Sequence, residues 1–573
     1  MKQWLKILFL FVLAPLQRLA AQPAVRFDVL ITEIMADPSP AVGLPNAEYI
    51  EIKNISSKSI SLNGWKISDA SATTTINTSV VLLPDSILII CANSQVAHFS
   101  VFGRTVGVSS FPSLDNEGDI ISLRSAQGKN IHAVAYSSSW YQNAIKKDGG
   151  WSLEMMDTNN PCAGMLNWGA SIHPSGGTPG QPNSVKDVVK DEQPPQLLHA
   201  ISMDSSSVLV YFDEPLDSLS ASDPSRFSLT EGIQVLSSAP QDPLFQAVLL
   251  GLSKPLDTGK IYRLMVQGVK DCSQNLVGGF NEIKTGRPSM VEKKDIVINE
   301  ILFNPKENGV DFVELYNNSQ KVLDVSSLFI ANKNASGQVA NAVKCSEQPF
   351  YIFPGEYLAL TTDPVFVQSQ YLVPEPRRLI KKTSMPSYPD DKGSVVITGS
   401  QGAVIDEVTY SEKWHFALIS NAEGISLERL NASSGSDDPG NWHSASSTIG
   451  YATPGYKNSQ QSTGQSNGAV LEVLPKLFSP DNDGYEDLAS IIYQVQDPGY
   501  IANITVFDVQ ARPVRSLVRS GLMGLRGHWN WDGLDDKKQK LPSGNYIIHA
   551  EIFNLQGKKK GYKMVVVLAR RFE

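Results

Sequence analysis

The chain has 573 residues, too many for one compact core, so its length predicts several domains. Hydrophobic residues make up 42% of the sequence and charged residues 19%, which excludes a largely disordered chain. The net charge of −9 is small for this length and is spread along the sequence. We therefore expect no nucleic-acid partner that binds through overall charge.

The N-terminal residues have the pattern of a secretory signal peptide. Lys2 and Lys6 give a positively charged start, and residues 5–16 form an apolar run. Leu-Ala-Ala at residues 19–21 provides the small residues that precede a cleavage site. The apolar run is too short to span a bilayer, which takes about 20 residues. We expect residues 1–21 to be cleaved, and the mature protein to be secreted or on the cell surface, with no transmembrane segment.

An internal repeat determines the predicted architecture. VLITEIMADPSP from Val29 is matched by IVINEILFNPKE from Ile296, and EYIEIKN from residue 48 is matched by DFVELYN from residue 311. Near the end of each copy the frame SLE…NW…TPG…NS recurs, from Ser152 and from Ser426. The repeat predicts two homologous domains, at residues 25–185 and 292–460.

Short runs that alternate between apolar and polar residues predict strands in both copies, and helix-period stretches are nearly absent. We therefore predict an all-β fold of tandem immunoglobulin-like β-sandwiches. The order of TEIM, EYIEIKN, NGWKISD at residues 63–69 and the SLE…NW…TPG frame resembles the lamin-tail domain. That family of immunoglobulin-like sandwiches occurs in nuclear lamins and in secreted bacterial proteins. The second copy departs from its Gly64-Trp65 pair, with Leu-Phe-Ile from Leu328, so its turn is expected to be built differently.

Residues 195–286, between the copies, carry a different strand pattern. VLVYFDEPLD from Val208 and IYRLMVQGVKDCSQNLV from Ile261 resemble a bacterial Ig-like domain, which implies another sandwich. The charged, proline-containing stretch at residues 185–196 is predicted to be the linker that leads into it.

Residues 468–573 carry the last pattern. FSPDNDGYED from Phe478 and LPSGNY from Leu541 resemble the Ig-like domain that ends flagellar hook-capping proteins. They equally resemble the C-terminal sorting domains of type IX secretion cargo, and the two families share these motifs. The Ser/Gln/Gly-rich composition of residues 457–469 predicts a flexible linker before this domain.

The acidic turn PDNDGYED in the last domain is a candidate Ca²⁺ site. Asp481, Asp483 and Asp487 surround Gly484, and a hard cation binds carboxylate oxygens presented by a tight turn. The full calcium-loop pattern with a terminal bidentate glutamate is missing. The alternative is a turn in which the carboxylates cap backbone amides.

The four cysteines are too few for a disulfide scaffold and have no zinc-finger spacing. Cys91 and Cys162 fall within one predicted domain, where a disulfide between them is one option. Cys272 and Cys345 lie in the following two domains.

The sequence gives little indication of catalysis. Glu33 and Glu51 recur as Glu300 and Glu314, and paired carboxylates can act as a general acid and base. We favour the interpretation that they accept hydrogen bonds at a sheet edge. The eight histidines form no metal-ligand pair, and no nucleophile or phosphate-binding motif occurs. We therefore predict that the protein is not an enzyme.

Aromatic and basic residues provide the other binding candidates. Tryptophans that recur in both copies are expected to pack in the sandwiches. Those without a counterpart remain candidates for ligand contact: Trp65, Trp151, Trp529 and Trp531. A basic patch near the C-terminus can dock a secretion machine or form a solvated hairpin tip: Lys558, Lys559, Lys560, Lys563, Arg570 and Arg571.

These features together predict an exported, non-enzymatic, multidomain surface or extracellular protein with a structural or adhesive role. Its ligand would be an envelope component, a protein or a glycan. The resemblance of the last domain implies type IX secretion cargo and contact with secretion machinery. One alternative is an accessory subunit working with a secreted hydrolase or nuclease. Another is a polysaccharide-binding protein that uses Trp65 and Trp151.

Overall fold

The computed structural model describes residues 23–279, 281–461 and 470–570. The predicted signal peptide and residues 462–469 of the second predicted linker lie outside the described residues. Within the described part, strands dominate, and the α-helices are short: α1 (Val96–Phe99), α2 (Ala144–Lys147), α3 (Ser218–Ala221) and α4 (Pro364–Gln370). The predicted all-β class with tandem sandwiches is confirmed.

The first copy is a sandwich of two sheets with orders β12-β11-β1-β2-β7-β8 and β10-β9-β4-β5. Apolar side chains from both sheets meet in one core, because alternate residues of each strand point inward. The strands are β1 (Val29–Met35), β2 (Tyr49–Asn54), β3 (Ile60–Ser61), β4 (Trp65–Ser68), β5 (Thr73–Ile76), β6 (Val81–Leu82), β7 (Ile87–Ala92), β8 (Thr105–Val108), β9 (Gly118–Arg124), β10 (Asn130–Ser137), β11 (Leu153–Met155) and β12 (Trp168–Ala170).

The middle module has a four-stranded sheet, β13-β14-β17-β16, and a three-stranded sheet, β15-β18-β19. In β14 every second residue is buried, as expected for a strand with one face toward a core. The strands are β13 (Leu197–Ser202), β14 (Ser207–Phe212), β15 (Phe227–Leu229), β16 (Val235–Pro240), β17 (Ala247–Leu252), β18 (Ile261–Val266) and β19 (Glu282–Gly286).

The second copy repeats the strand order of the first, with sheets β27-β26-β21-β20-β30-β31 and β24-β23-β28-β29. It reaches β23 through a 3₁₀ turn, Val325–Ser327, capped by the Asp324 side chain, where the first copy has Gly64 at φ +79°. The strands are β20 (Ile296–Leu302), β21 (Phe312–Asn317), β22 (Leu323–Asp324), β23 (Leu328–Lys333), β24 (Val339–Lys344), β25 (Tyr351–Ile352), β26 (Tyr357–Thr361), β27 (Leu379–Lys381), β28 (Lys392–Gly399), β29 (Val404–Ser411), β30 (Leu427–Arg429) and β31 (Trp442–Ser444).

The last module combines a three-stranded sheet, β32-β34-β37, with a five-stranded sheet, β33-β39-β38-β35-β36. Its core includes the fully buried Trp531, which packs against Phe478 and Tyr546. The strands are β32 (Val470–Leu474), β33 (Leu477–Phe478), β34 (Ala489–Gln494), β35 (Tyr500–Phe507), β36 (Pro513–Leu522), β37 (Arg526–Trp531), β38 (Gly544–Asn554) and β39 (Lys559–Leu568).

The four modules associate in pairs. Of the described residues, one compact unit holds 23–255, 262–279 and 281–285, and the other holds 256–261, 286–461 and 470–570. Within the first unit a disulfide joins Cys162 of the first copy to Cys272 of the middle module. The Cys91–Cys162 disulfide considered from the sequence is therefore wrong. Cys91 lies on β7 in a small apolar cluster with Tyr49 and Phe99, and it is a buried free thiol.

Candidate functional site

Each copy contains a row of three buried glutamates that spans three neighbouring strands. In the first copy, Glu33 on β1 pairs in register with Glu51 on β2 and with Glu154 on β11. A bulge between Ile31 and Glu33 sets this register. None of the three side chains is more than 1% exposed. Burial of carboxylates is costly unless hydrogen bonds or protons compensate, so their partners define the row's role.

Most of the partners come from the TPG…NS segment, residues 178–185, which we call the first strap. Thr32, Tyr49 and Ser152 add side-chain hydroxyls. The Thr178 amide donates to Glu33 Oε1 at 2.8 Å, and the Gly180 amide donates to Glu51 Oε2 at 2.8 Å. Glu154 accepts the Thr178 hydroxyl at 2.9 Å and the Ser184 hydroxyl at 2.8 Å. The repeated frame is therefore a single structure, in which the strap binds across the carboxylate row.

The second copy repeats this arrangement with Glu300, Glu314 and Glu428. The second strap, residues 453–460, donates the Thr453 amide to Glu300 at 2.8 Å and the Ser459 hydroxyl to Glu428 at 2.9 Å. Gly455 and Gln460 add backbone amides, to Glu314 and Glu428 respectively. The donors are neutral amides and hydroxyls in both copies. In the first copy Glu33 Oε2 is buried without a hydrogen-bond partner.

Burial, with repulsion from a neighbouring carboxylate, raises the pKa of Glu33 and Glu51 in the first row and of Glu300 and Glu314 in the second. Burial raises the pKa of Glu33 to about 7, with the neighbouring Glu154 adding to the effect. Burial raises the pKa of Glu300 to about 8, and Glu428 adds to it in the same way. The pKa of Glu314 is raised well above its usual value by burial, then by Glu300. Each row therefore retains protons near neutral pH.

The rows are placed to hold the straps rather than to act on a substrate. The prediction that the glutamates accept hydrogen bonds agrees with these contacts, but their predicted place at a sheet edge is wrong. Strands β1 and β2 are inner strands, flanked on both sides. A general base must lie within hydrogen-bond reach of its substrate, and these carboxylates are sealed under the straps. The sequence did not single out Glu154 and Glu428, although both recur in the repeated frame.

The two copies differ beside the bulge. In the first copy the Ile31 amide donates to His132 Nδ1 at 2.9 Å, and burial lowers the pKa of His132 to about 4. In the second copy the equivalent amide donates to Asp406, which forms a buried ion pair with Arg429 at 3.1 Å. Met155 stands on β11 where Arg429 stands on β30. The equivalent backbone amide thus donates to an imidazole nitrogen in the first copy and to a carboxylate in the second.

Most of the tryptophans stabilise the fold. The recurring pairs Trp140–Trp168 and Trp414–Trp442 have ring centroids 6.1 and 6.4 Å apart. Trp65 is a core residue with 3% exposure, so it cannot stack on a sugar.

The other unpaired tryptophans also have packing partners. Trp529 stacks on Tyr493 at 4.7 Å, and Trp531 is buried. Trp151 is partly buried, with the Lys146 ammonium 4.5 Å from its ring centroid. The polysaccharide alternative therefore keeps only Trp151 of its two predicted residues.

The structure brings the predicted calcium residues together. Oxygens of Asp481, Asp483 and Asp487 lie within 4.8 Å of one another at the surface of the last module. Asp487 also accepts the backbone amides of Asn482 at 2.7 Å and Gly484 at 2.9 Å. The turn thus has both the carboxylate cluster of a cation site and the amide capping of the alternative interpretation.

Two further features bear on binding. Asp191, Glu214 and Asp271 form a second carboxylate cluster, and burial with the neighbouring charges raises the pKa of Glu214 to about 8. Sequence reasoning missed it, because the three residues come from separate segments.

In the predicted basic patch, Arg570 donates to the carbonyls of Leu541 and Gly533, so it supports the fold. Arg571 lies outside the described residues.

A cavity of about 80 Å³ lies in the first unit beside the disulfide. Trp140 and Trp168 line one side, and Arg26 contributes a guanidinium. The lining cysteine, Cys162, is disulfide-bonded and supplies no nucleophile. The cavity thus lacks an arrangement of nucleophile and base.

Residues 22–138 match the family model described as the Lamin Tail Domain. The match covers the first copy as far as the end of β10. It stops before Glu154 and the strap. Among curated proteins, none matches this chain. Within the described residues, no helix is long and apolar enough to cross a membrane.

Solved structures similar to this chain include three bacterial surface proteins. A crystal structure of the S-layer protein SbsC aligns at 12% identity and TM-score 0.16, covering 66% of this chain and 54% of that chain. This chain therefore spans about half the length of that S-layer structure.

PorZ, a surface component of the type-IX secretion system of Porphyromonas gingivalis, aligns at 10% identity and TM-score 0.17, covering 95% of this chain and 100% of PorZ. A Ca²⁺-stabilized adhesin of an Antarctic bacterium aligns at 8% identity and TM-score 0.12, covering 96% and 100%. At these TM-scores we draw no conclusion from the alignments.

Proposed function

We propose that the protein is an exported, non-enzymatic surface or extracellular protein, whose sandwiches serve a structural or adhesive role. The main support for this proposal is that the residues recurring in both copies have structural roles. The glutamates of both rows are buried under the straps, and the recurring tryptophans pack in pairs. The glutamates and tryptophans that recur in both copies therefore stabilise the sandwiches. We assign ligand binding to the loops and sheet edges.

We propose the domain organisation that the sequence predicts. It comprises a signal peptide at 1–21, lamin-tail domains at 25–185 and 292–460, a bacterial Ig-like domain at 195–286 and a C-terminal Ig-like domain at 468–573. The family match supports the first lamin-tail domain, and the repeated strand order supports the second.

Export is supported by the signal-like N-terminal pattern and by the Cys162–Cys272 disulfide, because disulfides persist in oxidising compartments. The test is to fractionate cells that express the full chain and to sequence both termini of the protein recovered outside. Loss of residues 1–21 supports export, and a further cut in the chain near residue 468 supports type IX cargo. An intact chain confined to the cytoplasm contradicts the proposal.

The ligand class is tested by pull-down from envelope and glycan fractions with the full chain as bait. Saturable capture of an envelope protein or glycan supports the adhesive role. Turnover of a fraction component by the purified chain contradicts the non-enzymatic part. Co-purification of a hydrolase or nuclease supports the accessory-subunit alternative.

We also propose that Asp481, Asp483 and Asp487 bind Ca²⁺. The carboxylate cluster at a tight glycine turn supports this, since Ca²⁺ prefers oxygen ligands in flexible geometry. The test compares thermal unfolding of the full chain in Ca²⁺ and in chelator for Asp483→Asn and for Asp191→Asn, which alters the second carboxylate cluster. Calcium stabilisation lost only in Asp483→Asn supports the site. Loss only in Asp191→Asn, or no calcium effect on the parent chain, contradicts it.

A further inference from the structure

We propose that the C-terminal module is a permanent cap on the second copy, and that it remains bound there when the chain connecting the two is cut. The two modules belong to the same compact unit. Their contact has an apolar centre, buried hydrogen bonds and close backbone approach, the features of a specific interface.

The apolar centre joins one residue of the second copy to the five-stranded sheet of the last module. Phe416, from the loop after β29, clusters with Ile501 on β35 and Leu522 on β36. Leu522 is 1% exposed and Ile501 is 2% exposed, while Ile419 and Phe553 pack around them. Removal of these apolar side chains from water favours the docked state.

Polar groups beside this centre form hydrogen bonds across the contact. Gln460 is fully buried, and its side-chain amide donates to the carbonyls of Ser444 at 3.1 Å and Met523 at 3.0 Å. The Ser447 hydroxyl donates to the Leu522 carbonyl at 2.8 Å. Undocking would leave the apolar centre in water and would break these bonds together.

The second strap takes part in the same contact. Its Ser459 hydroxyl donates to Glu428 at 2.9 Å, and its Ser459 carbonyl accepts the Leu525 amide at 3.0 Å. Gln460 likewise donates its backbone amide to Glu428 and its side-chain amide to Met523. The strap is therefore fixed on one side by the carboxylate row and on the other by the last module.

Glycines of the last module permit this close approach. A Cβ on Gly524 would lie 2.8 Å from the Ser459 carbonyl oxygen, and one on Gly527 would lie 2.9 Å from the Thr448 hydroxyl. A Cβ on Gly499 would lie 3.2 Å from the Phe416 ring. A Cβ on Gly527 would also meet Tyr493 of its own module, at 2.5 Å, so Gly524 is the glycine that the contact with the neighbouring module itself requires.

The docking residues belong to the second copy alone. At the position of Phe416 the first copy has Gln142, which is exposed, and at the position of Gln460 it has Val185. Both copies have the carboxylate row and the strap. The changes from Gln142 to Phe416 and from Val185 to Gln460 are therefore explained by docking of the last module and not by the row. The occupant that this surface fits is the last module of this chain.

The test cuts the folded full chain at a site-specific protease sequence placed at residues 463–468. Complete cutting is checked by denaturing gel, and association is measured by size-exclusion chromatography with light scattering. We expect the two pieces to co-elute at close to the 62.5 kDa mass of the chain, less any signal peptide. Separate elution of two folded pieces would overturn the proposal, whether or not the protein is exported.

Two variants link retention to this surface. Gly524→Val and Phe416→Asp are each expected to abolish co-elution after cutting. The matched control is Gly435→Val, because a Cβ on Gly435 meets nothing within 4 Å. If Gly524→Val prevents folding of the uncut chain, Phe416→Asp decides the question. Co-elution of the cut Phe416→Asp pieces to the same extent as the parent would also overturn the proposal.

Discussion

Among single residues, Glu300 lies at the centre of the second carboxylate row, paired with Glu314 on one side and Glu428 on the other. Glu300 accepts the Thr453 amide and two hydroxyls, and it holds a proton near neutral pH because burial raises its pKa to about 8. A protonated carboxyl group and a neutral amide have the same shape. Glutamine is therefore a close substitute for the form of Glu300 present at pH 7.

The first prediction concerns Glu300→Gln and pH. A carboxyl whose pKa is raised to about 8 on folding, from about 4.5 when unfolded, contributes stability below pH 4.5 that is lost as the pH rises through 8. Glutamine does not titrate. We expect the melting temperature of the variant, relative to the parent chain, to rise between pH 5.5 and pH 8.5, as followed by calorimetry.

The control is Glu412→Gln, which changes an exposed glutamate of the same copy. Its melting temperature is expected to follow the parent at every pH. Because each variant is compared with the parent at the same pH, titration of the buried histidines cancels. An identical pH slope for Glu300→Gln and the parent would contradict the prediction.

The second prediction concerns the ion pair beside the bulge. Arg429→Met leaves Asp406 buried without its cation, which is expected to cost about 3–5 kcal/mol in the free energy of unfolding. The double variant Arg429→Met/Asp406→His copies the Met155 and His132 of the first copy. We expect it to recover more than half of the loss in urea unfolding. A double variant no more stable than Arg429→Met would show that the two arrangements are not interchangeable.

At the scale of elements, the strap connects local sequence to the sheet. Its amides reach three different strands, which explains why Thr-Pro-Gly and Asn-Ser keep their spacing in both copies. Asn183 completes the contact by donating to the carbonyls of Thr32 and Met155 at 2.8 Å. The first predicted linker is also partly ordered, since the Val189 amide donates to Asp157 at 3.2 Å.

The third prediction tests the close approach of the first strap. A Cβ on Gly180 would lie 2.7 Å from the Phe102 carbonyl, whereas one on Gly128 meets nothing within 4 Å. Both glycines have φ near +80°, so alanine carries a similar backbone cost of roughly 1–2 kcal/mol at each site. We expect Gly180→Ala to lose about 1–3 kcal/mol more than Gly128→Ala in urea unfolding, because of crowding. Equal losses would mean that the strap can shift freely.

Sequence reasoning reached the strands and the repeat but only part of the site. The alternation in β1 and β2 and the recurrence of Glu33 and Glu51 were visible, because both are local patterns. The third member, Glu154, joins them through pairing of β11 with β1, about 120 residues away in sequence. A pairing of that range leaves no periodic signal. The strap's role was hidden for the same reason, although the recurrence of its TPG…NS frame was visible in the sequence.

At the scale of the whole molecule, each unit joins its modules by a different chemistry. In the first unit the Arg26 guanidinium lies 4.5 Å from the Phe27 ring centroid and 4.2 Å from that of Phe245, beside the Cys162–Cys272 disulfide. In the second unit the contact is noncovalent. The sequence could not assign the disulfide, because its partners lie in different modules, 110 residues apart.

The last prediction concerns this disulfide. Protein recovered from an oxidising compartment and denatured without reductant is expected to show two thiols, Cys91 and Cys345, and four after reduction. Peptide mapping should find Cys162 joined to Cys272, and never Cys91 joined to Cys162. Replacing both bonded cysteines by serine is expected to destabilise the first unit by about 2–4 kcal/mol, because the cross-link restricts the unfolded chain. Cys91→Ala should keep the bond and lose one thiol. Four thiols before reduction would show that the first two modules are held together by noncovalent contacts alone.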